Sequence, residues 1–254
     1  MKARFSLDAM RARKLAELPA LKKRLREAPA RTRRLHGFAP APGAVTVIAE
    51  LKQASPSAGK IRTVEPVAQA RAYERGGAGA LSVLTDGSFF GGSYDDLEAV
   101  CASADLPVLC KEFVYFPEQV ECAYRAGADM VLLIARALGA RELRDLYARV
   151  AVTGMIPLVE IHESGELVKV LPLQAPLLMV NSRNLETLAI DRAAAARTLG
   201  EIPRNVGKIA ASGIESRADM EPFLEMGARG FLVGSALMKS ADPASMIREL
   251  RDVR

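Results

Sequence analysis

The sequence predicts a single α/β domain of the (β/α)8, or TIM-barrel, class, preceded by a helical extension. Three observations predict it. First, a small-residue hinge followed by an apolar run occurs three times. The copies are Gly76-Gly77-Ala78-Gly79-Ala80-Leu81-Ser82-Val83-Leu84, Ala126-Gly127-Ala128-Asp129-Met130-Val131-Leu132-Leu133-Ile134 and Met226-Gly227-Ala228-Arg229-Gly230-Phe231-Leu232-Val233. Their hinges are 50 residues (77 to 127) and 100 residues (127 to 227) apart. A unit of about 25 residues, one strand with one helix and two loops, divides both. Second, runs rich in Val, Ile and Leu alternate with helical stretches along the chain, the pattern of a parallel sheet covered by helices. Third, several of those runs end on Lys or Glu, which a buried strand tolerates only when the charge is paired or used.

Residues 1–43 lie outside the repeat. Leu7 to Arg26 reads as an amphipathic helix, Arg31-Thr32-Arg33-Arg34 as a basic run and Pro40 to Gly43 as a linker. The segment is expected either to be solvated or to cap the barrel mouth, and the division taken is a capping extension, 1–43, and a catalytic barrel, 44–254. Strands are expected near 45–50, 80–84, 107–111, 130–134, 156–160, 177–181, 207–212 and 230–234. Most lack in/out alternation, as strands covered on both faces do. Helices are expected at Pro66 to Arg75, Pro117 to Arg125 and Ala140 to Val150, two of them opened by proline at the tolerated first turn. The competing architecture, an open doubly wound sheet, usually has a Gly-rich turn after its first strand. Glu50-Leu51-Lys52-Gln53 is not one.

The chain has 254 residues, half of them hydrophobic, enough for one large core. Its net charge of +5 comes from 35 basic and 30 acidic side chains, with 5% aromatics and no Trp. A nucleic-acid surface would call for a basic stripe interleaved with aromatics; a small anionic ligand suits a mild excess better. Cys101, Cys110 and Cys122 are too few for a disulfide framework and lack metal-site spacing. They read as free thiols in a reducing compartment. The N-terminus lacks a signal-peptide pattern, and no apolar run is long enough to span a bilayer. The expectation is a soluble cytoplasmic protein with neither nucleic acid nor membrane as partner.

Charged and polar residues mark one end of the barrel. Glu50 and Lys52 are two apart and point the same way on an extended segment. Lys111 ends the third strand and Glu160 the fifth. Asn181 and Arg183 follow the sixth, and Ser212 ends the seventh. All would surround the C-terminal mouth, where such barrels collect catalytic groups. Paired ammonium and carboxylate groups shift each other's proton affinity, and burial shifts both. Ser212-Gly213-Ile214 and Gly234-Ser235-Ala236 place small residues at the ends of strands seven and eight, the usual phosphate site of these barrels. Ser55-Pro56-Ser57-Ala58-Gly59 offers hydroxyls from the other side. Phe90-Gly91-Gly92-Ser93 either packs near a ligand or turns the chain into a capped helix. His36 and His162 read as structural, and no carboxylate–histidine cluster suggests a metal.

Taken in order, these segments resemble the indole-3-glycerol phosphate synthase family of tryptophan biosynthesis, from about Val45 to Pro243. The resemblance rests on Ile48-Ala49-Glu50-Leu51-Lys52-Gln53-Ala54-Ser55-Pro56-Ser57, Leu81-Ser82-Val83-Leu84-Thr85 with Phe90-Gly91-Gly92-Ser93, and Lys111-Glu112-Phe113. It continues through Ala126-Gly127-Ala128-Asp129, Leu158-Val159-Glu160-Ile161-His162, Asn181-Ser182-Arg183-Asn184-Leu185, Ser212-Gly213-Ile214 and Leu232-Val233-Gly234-Ser235-Ala236-Leu237-Met238.

The resemblance implies ring closure of 1-(2-carboxyphenylamino)-1-deoxyribulose 5-phosphate with loss of carbon dioxide and water, without metal or organic cofactor. It implies Lys111 as general acid and Lys52 as the group that holds the anthranilate carboxylate and assists dehydration. Glu160 would stabilise a cationic intermediate and move protons, positioned by Glu50 and Asn181. Arg183, Ser212 and Phe113 would line the substrate pocket. Ser55, Gly213, Gly234 and Ser235 would take the phosphate. It also implies association with other tryptophan-pathway enzymes. The chain departs from the family pattern at Ala211, usually Glu, at Cys110, usually Arg, at Glu112, usually Asp, and at Met179, usually Gly. Three other readings compete: a paralogue closing the ring of a modified anthranilate, a sugar-phosphate isomerase sharing the phosphate site, and a non-catalytic barrel that binds another pathway enzyme.

Overall fold

The computed structural model describes residues 6–41, 43–55 and 59–252. Its centre is a closed barrel of eight parallel strands. They are β1 (Thr46–Leu51), β2 (Ala80–Leu84), β3 (Val108–Lys111), β4 (Met130–Ile134), β5 (Ile156–Ile161), β6 (Leu177–Asn181), β7 (Gly207–Ala211) and β8 (Gly230–Val233). Each pairs with its sequence neighbours, and β1 closes on β8 through Thr46 opposite Gly230 and Ala49 opposite Val233. Nearly every strand residue is buried. Helices outside and side chains inside cover the two faces, so the absence of alternation has its expected cause.

The hinges behave as the repeat predicts. Gly77, Gly127 and Gly227 end their helices at φ 83, 95 and 88°, left-handed values that glycine adopts without a Cβ penalty. Proline opens the helices Pro66–Arg75 and Pro117–Arg125, and Ala140–Val152 runs two residues beyond its expected end. β7 and β8 stop one residue short of expectation. Ser212 takes a left-handed φ of 70°, and Gly234 becomes the cap of a short helix, Ser235–Lys239. The chain therefore turns at the two places expected to meet phosphate. Ala54–Ser55 and Gly59–Lys60 form a small antiparallel ribbon after β1. Pro56, Ser57 and Ala58, part of the expected phosphate loop, lie outside the described residues.

The N-terminal helix α1 (Leu7–Glu27) lies along the outside of the barrel, against Pro117–Arg125. Ser6 caps it, its side chain accepting from Ala9 N at 3.2 Å. Its buried residues are Met10, Lys14 and Leu21, so this interface is partly ionic. Near the rim, Arg13 pairs with Asp86, and Lys14 pairs with Asp86 at 2.9 Å and Glu112 at 3.0 Å. Lower down, Arg125 Nη1 donates to the carbonyls of Leu25 and Ala28. The chain then crosses the opposite end of the barrel. There Asp129, fully buried just before β4, accepts from Arg31, Arg33, and the backbone N–H groups of His36 and Val108. Arg31 and Arg33 of the basic run are thus spent on one internal carboxylate and nearby carbonyls, while Arg34 is exposed.

Cys101, Cys110 and Cys122 are free and buried. Among the described residues, no helix is long and apolar enough to cross a membrane.

Candidate active site

The C-terminal mouth of the barrel opens into a hollow of about 1080 Å³, open entrance included. Glu50, Lys52, Ser55, Lys111, Phe113, Asn181, Arg183, Ser212, Gly213, Gly234 and Ser235 all line it. Glu160 lies just beneath, 1% exposed. Every described residue that the family resemblance implies for catalysis or binding is thus placed around one cavity. Strand geometry explains the convergence. Each charged side chain sits at or just past the C-terminal end of a β-strand, and barrel closure brings strands distant in sequence to one mouth.

The ionic groups form a connected set. Lys52 Nζ lies 2.7 Å from Glu50 Oε1. Lys111 Nζ sits 3.9 Å from Glu50 Oε2 and 3.9 Å from Glu160 Oε2, midway between two carboxylates. Asn181 Nδ2 donates to Glu160 Oε1 at 3.1 Å, and Asn181 Oδ1 accepts from Arg183 N at 3.1 Å. Burial alone would push the Glu50 carboxyl above its ordinary pKa. Lys52, Lys111 and Arg183 outweigh that penalty and hold it below, so Glu50 is anionic at neutral pH. Half-buried Arg183 has its pKa lowered by burial, partly offset by Glu50.

At Gly234 the chain passes close beneath the Glu50–Lys52 pair. A Cβ there would run into Glu50 Oε1 and stand 2.9 Å from Lys52 Nζ, so one of the two side chains would have to move. Ser212 and Gly213 follow each other with φ 70° and 72°, and a left-handed non-glycine residue costs roughly 1–3 kcal/mol of the kind found at ligand sites. Arg192 Nη1 donates to the Gly213 carbonyl at 2.8 Å and fixes the turn.

The sequence reading offered Phe90 as packing near a ligand and missed the rest of the wall. Leu185, Leu188 and Ile190 come from the loop after β6, and Phe90 from the turn after β2, to give the hollow an apolar side. Phe90 and Phe113 have ring centroids 6.3 Å apart. Arg183 pairs with Ile190 in an isolated antiparallel bridge, and Leu188 turns the loop at φ 62°. No glycine marks that turn, so the sequence carries little signal for it. Among the described residues, no three His, Cys, Asp or Glu side chains converge as a metal site.

Comparison with known proteins gives the family. A family model described as indole-3-glycerol phosphate synthase matches residues 2–250. The chain belongs to the indole-3-glycerol phosphate synthase family. A relative so named in Mycolicibacterium gilvum is 46% identical over 83% of this chain and 77% of its own length. One in Micrococcus luteus is 43% identical over 94% of this chain and 88% of its own. One in Leifsonia xyli is 46% identical over 86% and 84%. Solved structures share the architecture at far lower identity. A 3-hexulose-6-phosphate synthase matches with TM-score 0.64 and 15% identity, covering 82% of this chain and 98% of that one. A thiamine phosphate pyrophosphorylase from Pyrococcus furiosus matches with TM-score 0.59 and 16% identity, covering 82% and 93%. These two carry the fold alone. Within the indole-3-glycerol phosphate synthase family reading, the apolar wall and the ionic set are the two halves of one hollow.

Proposed function

We propose that this chain converts 1-(2-carboxyphenylamino)-1-deoxyribulose 5-phosphate to indole-3-glycerol phosphate, releasing carbon dioxide and water. It acts as a carbon–carbon lyase of tryptophan biosynthesis. The observation that carries the proposal is the position of Lys111, held between Glu50 and Glu160 in a hollow that also presents Lys52 and Arg183.

The substrate carries a carboxylate and a phosphate at opposite ends of an aromatic and a sugar part. Lys52 and Arg183 suit the carboxylate, and Phe90, Leu185 and Leu188 suit the ring. The turns at Ser212-Gly213 and Gly234-Ser235, with Ser55 opposite, suit the phosphate through backbone N–H groups and hydroxyls. Lys111 donates a proton to the sugar carbonyl oxygen while the ring carbon bearing the carboxylate attacks the carbonyl carbon. The new carbon–carbon bond leaves positive charge on the aniline nitrogen. Glu160, fixed by Asn181, stabilises that charge without reorganising. The carbon–carboxylate bond then breaks, and its electron pair restores the aromatic ring. Loss of the resulting hydroxyl as water, with a proton from an ammonium group and one given up to Glu160, completes the indole. The same reading puts the enzyme in the cytoplasm, where association with other tryptophan-pathway enzymes is open to it.

Ala211 supports a second reading. It lines the hollow as a small apolar side chain, paired with Asn181 on β6 and Leu232 on β8, where the family resemblance implies a carboxylate. Space there suits the same ring closure on an anthranilate with an added substituent. Indole fluorescence measured with purified protein and the unsubstituted substrate, without added metal, tests the first reading; product is expected. No product from it, with turnover of a ring-substituted analogue, selects the second, and no turnover of either overturns both.

A further inference from the structure

His162 follows the last residue of β5 and stands two positions beyond Glu160, so both side chains leave the chain on the inward face. Both are buried, the imidazole at 4% and the carboxylate at 1% exposure, with Nε2 3.5 Å from Glu160 Oε1. Neither ring nitrogen hydrogen-bonds to another described residue, and Glu160 Oε2 has no hydrogen-bond partner either. A neutral imidazole carries one N–H donor and one acceptor, and burying both unused is costly. A shift of a few tenths of an ångström turns the 3.5 Å separation into a hydrogen bond.

The surroundings define what the ring does. Lys111 on β3 and Arg136 after β4 are the nearby cations, and Glu160 and Glu163 the nearby acids. Arg136 is itself committed to Glu163 and Glu166 at 3.0 Å each. Burial, reinforced by those cations, lowers the imidazole pKa, so the ring is neutral at pH 7 and acts by direction rather than charge. Asn181 Nδ2 already donates to Oε1. A second donor on the same oxygen leaves Oε2, 3.9 Å from Lys111 Nζ, as the carboxylate oxygen available to the reaction.

We propose that His162 is a positioning residue for Glu160: its Nε2–H donates to Oε1 and aims Oε2 at Lys111 and the reacting atoms. This rests on Glu160 working as described under the proposed function. The test is steady-state kinetics of the purified full chain with 1-(2-carboxyphenylamino)-1-deoxyribulose 5-phosphate. His162→Leu, and His162→Phe with its similar ring shape, remove the donor. Each should lower kcat about 10- to 100-fold, the usual consequence of losing a hydrogen bond to a charged group. KM should stay within about twofold, because binding groups are untouched. His162→Gln, whose amide nitrogen is as many bonds from the backbone as Nε2, should recover most of kcat. Glu160→Gln combined with His162→Leu should be no slower than Glu160→Gln alone, because the histidine acts through the glutamate. Normal kcat in His162→Phe, no recovery with glutamine, or losses that multiply in the double variant would each overturn the proposal while leaving Glu160 in place. Normal turnover in Glu160→Gln would instead remove the role of Glu160, and this proposal with it.

Discussion

Lys111 has a carboxylate oxygen 3.9 Å away on each of two sides, close enough to steer its ammonium and too far to occupy its protons. Replacing it by alanine should therefore leave the hollow's shape and its other cations intact. Lys111→Ala is expected to lower kcat by about 10²–10⁴-fold, the usual share of general acid catalysis, with KM little changed; near-normal turnover would refute the acid assignment. Gly234→Ala should act differently. The new methyl cannot avoid the Glu50–Lys52 pair, so it must push the pair apart. A rise in KM together with a fall in kcat is expected, and unchanged kinetics would show that the pair can yield without cost. Ser235→Asp places a negative charge at the proposed phosphate end and should raise KM by like-charge repulsion. An unchanged KM would count against that site. These positions were legible in the sequence because each breaks a local rule, a charge at the end of an apolar strand or a small residue where the chain must turn. His162 breaks no such rule, since a buried histidine is commonplace in a core. Only the unsatisfied nitrogens beside Glu160 single it out.

The junction of α1 with the loops after β2 and β3 is an ionic cluster buried as deeply as the hydrophobic core. Lys14 is 1% exposed, Asp86 1% and Glu112 2%. Thr85 Oγ1 donates to Glu112 Oε2 at 2.8 Å and Phe113 N to Oε1 at 2.7 Å. Burial raises the Glu112 pKa, and Lys14 works against that rise. Lys14→Met would leave Glu112 without its cation and Asp86 with Arg13 alone, a loss of about 3–5 kcal/mol for breaking a buried pair. An acid whose folded pKa lies above its unfolded one destabilises the fold once it ionises. Its proton is worth most at low pH, and stability falls as pH rises through the folded value. The Tm deficit of Lys14→Met relative to the parent should consequently shrink as pH is lowered from neutrality toward the ordinary carboxylate range. A deficit that widens on acidification would show that the pair does not behave as two buried acids. This cluster was not legible in the sequence. A lysine on a mostly polar helix reads as solvated, and its partners lie 72 and 98 residues away, Asp86 and Glu112 counted from Lys14. Strand positions were legible because each depends on its own apolar run and its own hinge.

At the scale of the whole molecule the two ends of the barrel divide the work. Lys52, Lys111 and Glu160 gather at the C-terminal mouth. Asp129, 0% exposed at the opposite end, collects Arg31, Arg33 and two backbone N–H groups. Such barrels generally place chemistry at one face and stability at the other. Asp129→Ala should thus cost about 3–5 kcal/mol by stranding buried cations, read as a lower Tm, while kcat of the folded protein stays at the parent value. A large fall in kcat with little change in Tm would reverse that division. The closed barrel could be foreseen because the hinge repeat is periodic. The path of residues 28–41 across its base could not, because nothing local links a basic run to an aspartate almost a hundred positions on. That path bears on how the protein is made. Arg11, Lys14, Arg31 and Arg33 are translated some hundred residues before their acceptors Glu142, Glu112 and Asp129. Until those acceptors emerge, these cations lack their carboxylates, so this stretch cannot take its final place before about half of the barrel strands have been made.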